Sequence, residues 1–208
     1  MPQSARSDAA GEGSPQTKSL AYAERLRRRQ SKWWKKILPV QAPYRWNLRR
    51  LHLGHTLDVG CGIGRNLANL DDAVGVDHNA TSVSIARERG HVAYSVEGFR
   101  ESPHAIVGGF DTLLFAHVLE HMKRDEATEL VRAYRPYLRA GGRLCFITPQ
   151  ERGFKSDPTH VEFVDFVALR EICADLGLDI ERSYSFPFPR WAGSIFIYNE
   201  FVVVARVR

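Results

Sequence analysis

One stretch constrains this chain more than any other. An apolar segment, His55-Thr56-Leu57-Asp58-Val59, runs straight into Gly60-Cys61-Gly62-Ile63-Gly64, and a second apolar segment, Ala73 to Val76, ends at Asp77. Glycines at alternate positions after a strand let the backbone take φ > 0 and let a ligand approach the main chain closely. A Walker-type phosphate loop would need Gly-Lys-Ser/Thr, which this loop lacks. The dinucleotide fingerprint needs a glycine or alanine where this chain has Arg65. An acid at the end of the second strand can accept hydrogen bonds from ribose hydroxyls. The bland alternative is a tight strand-to-helix turn that holds no ligand.

The remainder of the chain extends the same alternation. Arg65 to Leu70 reads as a short helix, and Ala73–Asp77 as the second strand. Ala80 to Arg89 reads as a helix with Val83, Ile85 and Ala86 inward, ended by Gly90. His91–Val96 is a third strand. Residues 110–118 form a fourth, apolar almost throughout, as a strand buried on both faces should be. A helix is expected from Asp125 to Leu138, then a turn at Gly141-Gly142 into a fifth strand, Arg143–Pro149. Asp165 suits the N-cap of a helix ending at Gly177. Two last strands, 178–186 and 194–207, should pair antiparallel. Strand–helix alternation implies a doubly wound α/β fold, a parallel sheet between two helical layers, with ligands beyond the carboxyl ends of the strands.

Charge divides the chain differently. The net charge is +5, yet residues 18–36 hold eight basic residues against the single acid Glu24, so everything else nets −2. Residues 1–17 are rich in Ser, Ala, Gly, Gln and Pro and are expected to be disordered. Residues 18–50 read as a basic amphipathic helix and cap segment, with Pro39 and Pro43 stopping the helix. The catalytic domain is expected over 51–208. No apolar run approaches the roughly 20 residues that cross a bilayer, and the N-terminus lacks a secretory apolar stretch, so the expected compartment is the cytoplasm. Three scattered cysteines, Cys61, Cys145 and Cys173, do not suggest a disulfide framework or a thiolate zinc site.

The motifs LDVGCGIG (57–64), GVD (75–77), FDTLLFAHVLEHM (110–122) and LRAGGRLCFITP (138–149) resemble, in order and spacing, those of class I S-adenosylmethionine-dependent methyltransferases. The resemblance implies a seven-stranded, mostly parallel sheet whose last strand is antiparallel, in three α/β/α layers. It implies S-adenosylmethionine as cofactor and S-adenosylhomocysteine as product. It also implies that Gly60, Cys61 and Gly62 line the methionine part, with Asp58 nearby. Asp77 would hold the ribose, His78 would lie beside the adenine, and Glu97 is the candidate near the adenine amine. His117 would border the cofactor, while Tyr44 and Arg45, from the segment before the first strand, could meet its carboxylate or the acceptor.

Methyl transfer from a sulfonium needs proximity and alignment; an oxygen acceptor must also lose a proton. Three histidines follow strands four and five: His117, His121 and His160. His160, in SDPTHVEF, is the preferred base, with Asp157 a candidate to orient it. His117, Glu120 and His121 stand at i, i+3, i+4, a spacing that could serve a divalent metal. Ubiquinone-pathway O-methyltransferases resemble this stretch but place Glu first. With His117 there, the expectation is no metal and a turn that positions the acceptor.

The leading reading is O-methylation of a hydroxyl on a small molecule or glycan. One alternative is N-methylation of RNA or protein gripped by the basic segment, although no RNA-binding module is recognisable. Another is a non-catalytic cofactor-binding module. The aromatic loop Phe186–Gly193 suits a pocket wall or a homodimer contact.

Overall fold

The computed structural model describes residues 42–207. The expected tail (1–17), the basic helix (18–38) and the cap residues as far as 41 lie outside the described residues. The first element is a helix, α1 (Ala42–Arg50). Pro43 therefore sits in the first turn of a helix rather than closing one, a position where its missing N–H costs nothing. Leu48 and Asn47 are its buried residues, and the Tyr184 hydroxyl donates to Asn47 Oδ1 at 2.8 Å.

Seven strands follow: β1 (Thr56–Val59), β2 (Ala73–Asp77), β3 (Ala93–Ser95), β4 (Phe110–Ala116), β5 (Leu138–Pro149), β6 (Leu178–Phe186) and β7 (Glu200–Val207). They form one sheet in the order β3-β2-β1-β4-β5-β7-β6. The first five run parallel, and β7 inserts antiparallel between β5 and β6. This is the seven-stranded architecture expected from the motifs.

Two-residue periodicity explains the long apolar runs. On β4, Leu113 and Phe115 enter one core while Leu114 and Ala116 enter another; on β5, Leu144 and Phe146 oppose Cys145 and Ile147 in the same way. One core is sealed by helices α4 (Arg124–Tyr134) and α6 (Phe166–Asp175), through Ala127, Val131, Leu169 and Ile172; the single-turn α5 (Glu151–Phe154) lies between them in the chain. The opposite one receives Leu48 of α1 with Leu51 and Leu53. Helix α2 (Ala80–Glu88) buries Val83 and Ala86 against Cys61, Leu67 and Ala93. Asp165 caps α6 as expected, its Oδ1 accepting from Val167 N and Ala168 N, and Gly177 leaves that helix at φ +64°.

Four expectations are corrected. No helix forms at 65–70; a single 3-10 turn, Leu67–Asn69, takes its place. Few residues separate the loop from β2, and Asn66 is pinned by side-chain hydrogen bonds, so a helical nucleus is not repaid by propagation. The third strand stops at Ser95, whose hydroxyl accepts from Gly98 N to start the short helix α3 (Val96–Arg100). Helix α4 ends at Tyr134, because Pro136 has no N–H to continue the ladder; a 3-10 turn covers Arg135–Tyr137, and Leu138 already pairs with Phe110 in the sheet. Residues 194–199 are not strand: a 3-10 turn covers Arg190–Ser194, and β7 starts at Glu200. Among the described residues no helix is long and apolar enough to cross a membrane.

Candidate active site

The carboxyl ends of β1, β2, β4 and β5 converge with the start of β7 at one edge of the sheet, where open α/β sheets hold their ligands. Gly60 leaves β1 at φ +80°, and its N–H donates to Val76 O at 2.7 Å. A Cβ there would stand 2.4 Å from Val118 Cγ2. Gly62, at φ +52°, differs: a Cβ built on it meets nothing within 4 Å, so the loop opens onto free space. Cys61 between them turns its thiol into the core against Gly75 and Leu67. Burial pushes that thiol far above its usual range, so only the Cys61 backbone faces the opening.

Asp77 ties the loop to the second strand. Its Oδ2 accepts from Gly62 N at 2.7 Å and its Oδ1 from Asn79 N at 2.8 Å. A carboxylate offers about four lone-pair positions, which leaves two for a diol. His78 is largely exposed beside it, Nδ1 lying 3.6 Å from Asp77 Oδ1. Glu97 is exposed in the first turn of α3. An open glycine cradle, an acid with spare acceptor capacity and a neighbouring ring fit a methionine–ribose–adenine ligand.

Beneath the cradle lies a buried polar chain. The Tyr44 hydroxyl donates to Asn66 Oδ1 at 2.7 Å, and Asn66 Nδ2 donates to Asp58 Oδ1 at 3.2 Å. Asp58 is fully buried, and its Oδ2 has no hydrogen-bond partner among the described residues. Burial raises its pKa to about 7, against the lowering effect of Asn66. Tyr44 is also raised well above its ordinary value by burial. Arg45, one residue on, is exposed on α1.

After β4 the chain turns sharply. His117 takes φ +59°, rare for a residue with a Cβ, and a 3-10 turn at Leu119–His121 follows. His117 Nε2 lies 2.9 Å from Glu200 Oε1, and Nδ1 lies 3.3 Å from Glu120 Oε1. The Glu120 contact is within ion-pair reach but off the hydrogen-bond line. Burial works against the charge on His117; the two carboxylates outweigh it and lift the pKa to about 10. Forty per cent of the side chain still meets solvent, which weakens the coupling relative to a dry ion pair. Sequence reasoning missed Glu200, which lies 83 residues from its partner; a lone acid opening the apolar run Phe201–Ala205 was the available signal.

The spacing of His117, Glu120 and His121 offered one possible metal set. In the structure His117 engages Glu200, while Glu120 and His121 meet His160, and one potential ligand atom from each of these three lies within 4.8 Å of the others. The His121 and His160 rings stand edge to face, centroids 4.8 Å apart. His160 Nδ1 donates to Phe154 O at 2.7 Å, and the Phe154 ring stacks on the imidazole. Asp157, the suggested orienting residue, accepts through Oδ1 from Thr159 N and Oγ1. Val161 N donates to Glu120 O at 2.7 Å and clips the loop after β5 to the turn after β4.

The 187–199 connection borders this edge. Buried Asn199 accepts from Phe188 N and donates to Gln150 Oε1 and to the carbonyls of Phe188 and Pro189. Gln150 in turn donates to Ser185 Oγ and Glu200 O. Neither amide figured among the sequence candidates. Trp191 projects outward, 70% exposed, which agrees with an exposed aromatic loop.

A family model described as a methyltransferase domain matches residues 57–144, from the strand before the glycine loop into β5. No curated protein sequence matches the chain. Among solved structures, a methyltransferase from Archaeoglobus fulgidus has 18% identity and a TM-score of 0.58, over 78% of this chain and 92% of that one. Magnesium protoporphyrin IX methyltransferase from Synechocystis has 16% identity and a TM-score of 0.54, over 96% and 87%. A 1,6-didemethyltoxoflavin N1-methyltransferase from Burkholderia thailandensis has 19% identity and a TM-score of 0.57, over 96% and 92%. Sheet order, glycine loop and family match together define a class I methyltransferase fold. The matched segment is similar to a methyltransferase domain, and that likeness supports an S-adenosylmethionine-dependent methyltransferase of that class.

Proposed function

We propose that this methyltransferase acts on a hydroxyl of a small molecule or glycan, with His160 as the group that removes the proton. The observation that carries this reading is the state of His160. Its Nδ1 hydrogen is committed to Phe154 O, so Nε2 carries the free lone pair, and the residue lies beside Glu120 and His121.

S-adenosylmethionine, when bound, supplies an electrophilic methyl whose carbon–sulfur pair departs as a neutral thioether. The backbone at Gly60, Cys61 and Gly62 would receive its methionine part over the open face of Gly62. Asp77 would accept from the ribose hydroxyls, with His78 and Glu97 toward the adenine. Asp58, His117 and Arg45 border the amino-acid end, where Asp58 Oδ2 is a buried acceptor still to be used. The acceptor hydroxyl gives its proton to His160 Nε2 as its oxygen bonds the methyl carbon, and the half-exposed imidazolium then returns the proton to solvent. Phe154 and the clipped loop hold the ring in place, so alignment is inherited from the fold.

The test is His160→Ala, assayed with labelled S-adenosylmethionine and a metabolite extract. We expect cofactor affinity to persist in calorimetry while transfer to a hydroxyl product drops by about two orders of magnitude. Transfer at the wild-type rate, or a product methylated at nitrogen or carbon, would refute the assignment.

A further inference from the structure

We propose that Glu120, His121 and His160 form a binding site for one divalent transition-metal ion, open toward the acceptor. The inference rests on the hydroxyl-acceptor part of the reading above and gives His160 Nε2 to the ion in place of the base role.

Three observations carry it. The Glu120 carboxylate is fully buried; His117 Nδ1 stands 3.3 Å from Oε1, off the hydrogen-bond line, and Oε2 has no hydrogen-bond partner among the described residues. A buried carboxylate oxygen without a partner favours a cation that can reach it. Both histidines also keep the same nitrogen free. His160 Nδ1 donates to Phe154 O at 2.7 Å, and His121 Nδ1 stands 3.2 Å from Thr159 O. A carbonyl can only accept, so each ring carries its hydrogen on Nδ1 and keeps a lone pair on Nε2, the arrangement in which metal-binding histidines are held. Finally, the two loops are fastened at the site itself, because the Glu120 carbonyl accepts from both Val161 N and Glu162 N.

The geometry suits one ion. Bonds of about 2.0–2.2 Å place two ligands of one metal about 3–4.4 Å apart. The three candidate atoms already lie within 4.8 Å of one another, close to that range, and both rings are partly exposed. Two imidazole nitrogens and one carboxylate oxygen favour Zn²⁺, Mn²⁺, Fe²⁺ or Co²⁺ over Ca²⁺. Three protein ligands leave positions for water and an acceptor oxygen. In that state His160 is a ligand, and the hydroxyl, acidified by the ion, loses its proton to solvent water.

The experiment uses the full chain stripped with a chelator and titrated with Mn²⁺, Co²⁺ and Zn²⁺, read by calorimetry and by the visible spectrum of bound Co²⁺. We expect one ion per chain, with affinity at least tenfold weaker in Glu120→Gln and in His160→Ala. His121→Ala, at a half-exposed position, gives the same readout should Glu120→Gln lose stability. Binding weaker than millimolar for all three ions, or variants that bind as the wild type does, would overturn the site. Stripped protein that takes up no metal and still methylates a hydroxyl would also overturn it while leaving the O-methylation reading standing. One-ion uptake together with methylation at nitrogen would do the reverse.

Discussion

Asp58→Asn isolates the energetic cost of the buried acid under the glycine loop. Asp58 is fully buried with one oxygen unpartnered, and burial lifts its pKa from 3.8 to about 7. An acid raised on folding keeps its proton in the native state while the unfolded chain has lost it. Between pH 4 and 7 the native state therefore binds more protons, and stability falls as pH rises. At about 1.4 kcal/mol per pKa unit, the loss approaches 4 kcal/mol once pH exceeds 7. Asparagine matches the neutral acid in shape and keeps an oxygen for Asn66 Nδ2. The stability of the variant relative to wild type should therefore climb by up to about 4 kcal/mol between pH 4 and pH 8. Urea denaturation at several pH values measures this directly: with a slope of about 2 kcal/mol/M, the midpoint difference would widen by up to about 2 M. Other titrating groups are common to both proteins and cancel in the comparison. A difference that stays flat from pH 4 to pH 8 would show that Asp58 is ionised in the native state and that the argument from burial is wrong.

The other end of the site gives a complementary experiment. His117 is raised to about 10 by Glu120 and Glu200, so the stability from its charge is present below about pH 6.5 and lost as pH rises through about 10. Glu200→Gln removes one carboxylate and should bring the His117 titration down toward the ordinary range, read from its ring-proton resonances; an unmoved titration would mean the Glu200 contact carries no charge coupling. Gly60→Ala forces a Cβ into φ +80° and to 2.4 Å from a branched Val118 side chain. We expect a loss of about 2 kcal/mol or more, a fall of at least about 4 °C in Tm, together with weaker S-adenosylmethionine binding; an unchanged Tm would show that the loop can yield.

What was legible in the sequence is what short-range physics decides. Glycines at 60, 62 and 64, an acid closing the second strand and apolar runs broken by turns are local patterns, and they sufficed for the seven-stranded sheet and the cofactor edge. The Asp165 cap was legible because its bonds reach only two and three residues along the chain. Where a local pattern competed with a distant partner, the partner won: Asn66, held by Tyr44 and Asp58, replaced an expected helix with a single turn. The acceptor side was decided almost wholly by tertiary structure. Spacing placed His117, Glu120 and His121 on one side, yet β7 brings Glu200 to His117, and the loop after β5 delivers His160 to Glu120 and His121. The opening glycine loop thus identifies the methyl donor from sequence, whereas which histidine faces the acceptor depends on how the crossovers bring residues 40 to 80 positions apart into contact, and no local propensity encodes that.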